Sequence, residues 1–132
     1  MLWMSSLLGL MAMGGIIFVD DVDIVTASLT TNTSQISENG GVITYTISLS
    51  GTPGAIDPVN PLVFTLANPD ANGSDITITI PAGAVTGLTT VTYSDAFIAN
   101  QSSINNSIDS YTGGSEYEQL NTTGSTAVDV DY

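Results

Sequence analysis

The sequence contains no lysine, arginine, histidine or cysteine, and each absence removes a class of chemistry. Without cysteine there is no disulfide scaffold, thiol nucleophile or thiolate metal site, and the redox compartment is left open. Without lysine and arginine the chain cannot neutralise phosphates, the step on which nucleic-acid binding depends. With 13 acidic residues and a formal net charge of −13, it repels nucleic acid and anionic lipid alike. Without histidine, lysine or cysteine no serine hydroxyl has an ordinary activating base, and no G-x-S-x-G segment occurs. Carboxylate-pair chemistry such as glycoside hydrolysis is still possible on inventory. The acidic residues, however, fall mostly in predicted turns and linkers, where nothing sets two of them across a cleft. The expectation is a protein that is not an enzyme.

What is present points to a folded β domain. The chain has 132 residues, a length that favours one domain and suffices for a core that needs neither metal nor disulfide. Although the net charge is large, 42% of residues are hydrophobic and only 10% are charged, which separates the sequence from solvated coils. Residues 1–19 (MLWMSSLLGLMAMGGIIFV) carry no charge and are long enough to cross a bilayer as a helix. They lack the positive n-region and small-residue cleavage site of a signal peptide. The segment reads as membrane-associated or as a fragment boundary, and residues 20–132 as the domain itself.

From Asp20 onward the hydrophobic period becomes two. Ile43, Tyr45, Ile47 and Leu49 alternate with Thr and Ser, the pattern of a half-buried strand. Residues 75–80 repeat it and are stopped by Pro81-Ala82-Gly83-Ala84. Further strands are expected over residues 24–30, 62–67, 88–93, 104–108 and 126–130, separated by Gly, Pro and Asn clusters. Short strands with regular turn signals and no convincing amphipathic helix imply an all-β, immunoglobulin-like Greek-key sandwich of about seven strands, a closed barrel being the alternative on strand count alone. Asp21-Val22-Asp23 opens this region and Asp129-Val130-Asp131 closes it, an offset of 108 residues from position 21 to position 129. One domain length between like segments suggests a tandem array with an acidic linker before and after each unit.

Residues 21–131 resemble the roughly 100-residue repeats of very large biofilm adhesins that Gram-negative bacteria export by type I secretion, the RTX-adhesin extender domains. The resemblance rests on Ser37-Glu38-Asn39-Gly40-Gly41-Val42-Ile43-Thr44-Tyr45-Thr46, similar to an E-G-G-x-I-T-Y-T core. It also rests on Ile78-Thr79-Ile80-Pro81-Ala82-Gly83-Ala84, similar to a T-I-x-A-G-A hairpin, on Ser94-Asp95-Ala96-Phe97, and on Gly113-Gly114 followed by Tyr117-Glu118-Gln119-Leu120. Calx-β domains are the second resemblance, without their fuller acidic motifs. The departures are Ala96, where the repeats often carry a second Asp, and an extra residue between Gly114 and Tyr117. The family resemblance implies an extracellular module on the bacterial cell surface that supports cell adhesion and biofilm formation. Its partners would be neighbouring repeats of the same protein.

A metal site in this chain must use oxygen ligands, which suit calcium. Residues i and i+2 of an extended segment face the same side, so Asp21 with Asp23 and Asp129 with Asp131 are each half of a plausible site. The resemblance adds Asp95 as a possible further ligand, weakened by Ala96. The expected function is a structural extender repeat rigidified by calcium at its acidic joints. A glycan- or protein-binding immunoglobulin-like module, for which Tyr111 and Tyr117 are the exposed aromatic candidates, and a small membrane-anchored surface protein are the alternatives.

Overall fold

The computed structural model describes residues 24–51, 58–70 and 73–132. Nine strands and one short helix run β1 (Ile24–Thr31), β2 (Gln35–Ser37), β3 (Gly40–Gly51), β4 (Leu62–Leu66), β5 (Ile76–Ile80), β6 (Thr86–Ser94), α1 (Asp95–Ile98), β7 (Ser103–Thr112), β8 (Gln119–Thr123) and β9 (Ser125–Asp131). They form two sheets, of order β6-β3-β1-β8 and β2-β9-β7-β4-β5, which pack face to face as a β-sandwich around one core. The seven expected strands are all present. The two additions are β2, three residues long, and β8, whose sequence QLNTT has no apolar alternation to mark it.

Alternation sets which face each strand buries. Along β3 the inward residues Ile43, Tyr45 and Ile47 are fully buried and Leu49 nearly so; Thr44, Thr46 and Ser48 point away between them. Across the interior, Phe64, Ile78, Ile80, Ile104 and Val128 close the core from the five-stranded sheet. Each such side chain gains about 1.5–3 kcal/mol from leaving water.

The chain changes sheets early. After β1, which pairs antiparallel with β3, β2 crosses to the other layer and runs parallel to β9, with Gln35 opposite Asp129 and Ser37 opposite Asp131. Gly40 then opens β3 with φ of +105°. A Cβ there would stand 2.9 Å from the Tyr93 carbonyl oxygen, so both conformation and space demand the glycine of the E-G-G motif.

One expectation needs correcting. Residues 76–84 do not begin a hairpin: β5 is the edge of the five-stranded sheet and β6 the edge of the four-stranded one, so the Pro81-Ala82-Gly83-Ala84 turn carries the chain between layers. Alternation reports only which side chains face inward, and both a hairpin and an inter-sheet corner satisfy it. The corner is tight. A Cβ on Gly87 would lie 2.3 Å from the Thr79 carbonyl oxygen, closer than any real side chain is found.

Residues 1–19, expected to be a separate hydrophobic segment, lie outside the described residues. Among the described residues no helix is long and apolar enough to cross a membrane.

Candidate functional site

The strand registers fix where the chain enters and leaves. Val25, one residue into β1, is opposite Gly51, the last residue of β3, while Ile24 is opposite Gln119 at the start of β8. The other end of β3 begins at Gly40, opposite Ser94 and next to α1. The last strand finishes there too, since the Asp131 carbonyl accepts a 2.9 Å bond from the Glu38 N–H, just before Gly40. Tyr132 follows, its hydroxyl donating to the carbonyls of Ala99, at 3.2 Å, and Gln101 beyond α1. Ile24 and Tyr132 therefore sit at opposite poles of the sandwich, separated by the length of β3. Twelve residues of extended chain span about 40 Å.

Asp129 and Asp131 belong to β9 and not to a linker. Both are exposed and alternate with buried Val128 and Val130, so their carboxylates share the outer face of the five-stranded sheet at the exit pole. The alternation that suggested a pair holds, and what fixes it is the pairing of β9 with β2. Asp95 is exposed in the first turn of α1, where Ser94 caps the helix by accepting a 3.3 Å bond from the Phe97 N–H. It lies at the same pole. Asp21 and Asp23 lie outside the described residues, in the three positions that precede Ile24. Among the described residues, no group of three or more acidic side chains is placed to hold a metal ion. The carboxylate oxygens of Asp129 and Asp131 are the right donors for calcium, which takes 6–8 oxygens; two carboxylates supply at most a part of that shell.

Two features had no sequence signal of their own. A recess of about 330 Å³ opens between the edges of β5 and β6, lined by Asn68, Asp70, Asp75 and Tyr93 among others. Only the Gly, Pro and Asn cluster between β4 and β5 hinted at a loop there. Behind it lies the polar part of the core. The Tyr45 and Tyr93 hydroxyls are 2.8 Å apart, both rings buried, and Tyr93 stacks on Phe97 with ring centroids 5.8 Å apart. Burial, reinforced by the hydrogen bond to Tyr45, holds the Tyr93 hydroxyl well above the ordinary tyrosine range; the nearby Asn106 amide opposes that shift. Asn106 is itself buried on β7. Its Oδ1 accepts from the Ser107 N–H at 2.9 Å, while Nδ2 has no hydrogen-bond partner among the described residues.

The two aromatic residues considered for a ligand-binding loop are not equivalent. Tyr117 is buried, packing with Gly114 in the core margin, and Tyr111 is 41% exposed on β7, its ring 5.9 Å from that of Phe64. Tyr117 is thus a structural residue of its motif.

No curated protein matches the chain. Among solved structures, a CARDB domain from Pyrococcus furiosus, crystallised in complex with di-metal ions, is similar at a TM-score of 0.43 and 12% identity, over 88% of this chain and 95% of that one. The family model of the LapA domain matches residues 23–131, and LapA is a large biofilm adhesin-associated protein, which ties the domain to adhesion at the cell surface. Over nearly all of the sandwich, this chain belongs to the LapA domain family.

Proposed function

We propose that the domain is a structural extender of a cell-surface adhesin, one unit of a tandem series that holds an adhesive region away from the cell, with calcium stiffening the joints. The observation that carries this reading is the placement of Ile24 and Tyr132 at opposite poles. A domain entered at one end and left at the other adds its full length to an array. One whose termini lie together adds little. The reading has no catalytic step in it, in keeping with a chain that contains no histidine, lysine or cysteine.

The same polarity bears on calcium. Asp129 and Asp131 lie at the exit pole, and Asp21 and Asp23 precede the entry strand by only a few residues. In a series with a 108-residue period, Asp129-Val130-Asp131 of one unit is the Asp21-Val22-Asp23 of the next, so each joint carries one acidic pair. Calcium would complete its shell of 6–8 oxygens with carbonyl, hydroxyl or water oxygens where the next unit docks. With no lysine or arginine in the chain, carboxylates brought together by docking are relieved by a bound cation, by protonation or by screening.

The test is calorimetry on one unit and on two fused in series, with calcium against a chelator at constant ionic strength. A site that binds only the folded form at 100 times its dissociation constant adds about 2.7 kcal/mol, which raises the melting temperature of a domain this size by roughly 10–20 °C. The two-unit protein should show that rise and the single unit little of it. Equal melting temperatures in the two-unit protein would leave the Asp pairs as solvated charge.

A further inference from the structure

We infer that the outer face of the four-stranded sheet is a self-association surface, on which a second copy of this domain docks face to face. Such docking is separate from the extender role and needs neither calcium nor a series of units.

Charge sets the first condition. Two copies of a chain with 13 acidic residues and no basic ones repel wherever carboxylates face each other, and no salt bridge can form between them. Without a bridging cation, a copy can therefore dock only through a surface without carboxylates. None of the strands β1, β3, β6 and β8 contains an acidic residue, whereas the opposite sheet carries Asp109 on β7 and Asp129 and Asp131 on β9.

The face is also built to be covered. Its outward residues include Thr26 and Ser28 on β1, opposite Ser50 and Ser48 on β3, Thr46 on β3, opposite Thr30 on β1, and Thr44 on β3, opposite Thr90 on β6. Their hydroxyls can both donate and accept, so one such array can hydrogen-bond a copy of itself without leaving a buried group unpaired. Between them stand Ile24, Val42 and Leu88, at 43%, 51% and 63% exposure. These are three of the six large apolar side chains exposed among the described residues. They are spread over the sheet and leave threonine between them, as in an interface that mixes apolar and polar contacts.

Its size fits a weak, reversible contact. Four strands about 4.8 Å apart and about eight residues long cover roughly 500 Å², so a face-to-face pair buries on the order of 1,000 Å² in total, the lower bound for a specific interface. Single contacts of that size are transient. Many of them along two facing molecules add through effective concentration.

The experiment uses the 132-residue chain, by sedimentation equilibrium over a wide concentration range, together with amide shift mapping on dilution. A reversible monomer–dimer equilibrium is expected, with the shifts falling on β1, β3 and β6. Added salt should strengthen it by screening carboxylate repulsion. Thr46→Glu at the centre of the face should weaken association about tenfold or more by like-charge juxtaposition, and Thr77→Glu on the outer face of the other sheet should leave it unchanged. Thr90→Glu repeats the test on a second strand should Thr46→Glu lose its fold. A monomer at every concentration would overturn the inference, as would association that survives both face substitutions or falls equally with Thr77→Glu. Shifts on this face with a neutral glucan but none on self-concentration would also overturn it, in favour of a polysaccharide partner.

Discussion

Tyr45 on β3 and Tyr93 on β6 join their hydroxyls at 2.8 Å inside a core that is otherwise almost wholly apolar. Burial and this bond raise the Tyr93 pKa, and the sign of the consequence is fixed. Tyr93 stays protonated in the fold while the unfolded chain ionises near pH 10, so the stability is fully present below about pH 10 and lost as pH rises above it. Because the chain lacks lysine, arginine, histidine and cysteine, tyrosines are the only side chains that titrate in that range. Tyr93→Phe should therefore flatten the fall in stability above about pH 10, while costing about 1 kcal/mol at neutral pH from the lost hydrogen bond. Denaturant titrations of both proteins across alkaline pH check this; parallel curves would mean that Tyr93 is not the group responsible.

Ile47 is fully buried at the centre of β3. Ile47→Ala should cost about 2–5 kcal/mol through lost transfer energy and the cavity left behind. The check is chemical denaturation monitored by circular dichroism, and a loss under half a kcal/mol would place the residue outside the core.

At the corner between the sheets, Gly87 has no room for a side chain against the Thr79 carbonyl. Its backbone is not in the left-handed region, so Gly87→Ala acts through crowding alone and should cost about 1–3 kcal/mol. Gly83 lies in the same corner, but a Cβ there would meet nothing within 4 Å. Gly83→Ala carries only the strain of its φ of +81°, about 1–2 kcal/mol. The two are separated by hydrogen exchange at β5 and β6. Gly87→Ala should loosen both edges, and Gly83→Ala should leave them protected.

How much of this was legible follows from what local pattern encodes. Period-two alternation placed Ile43, Tyr45, Ile47 and Leu49 on one face, and all four are buried. It could not reveal β8, because Gln119 to Thr123 pair along β1 with no buried residue among them, nor β2, which is too short to show a period. Nor could it tell a hairpin from a corner at residues 76–84, since that depends on which strands pair at a distance. For the acidic residues, spacing alone put Asp129 and Asp131 on one side. That they belong to a strand held by β2, and finish at the pole opposite Ile24, is a matter of topology.

The central claim is that successive units lie end to end, and small-angle scattering on two units fused in series tests it most directly. With one unit about 40 Å long, calcium-loaded protein should have a maximum dimension about twice that of the single unit, and chelation should broaden the distribution without changing the fold of either half. A compact two-unit particle little longer than one unit, with or without calcium, would contradict the account.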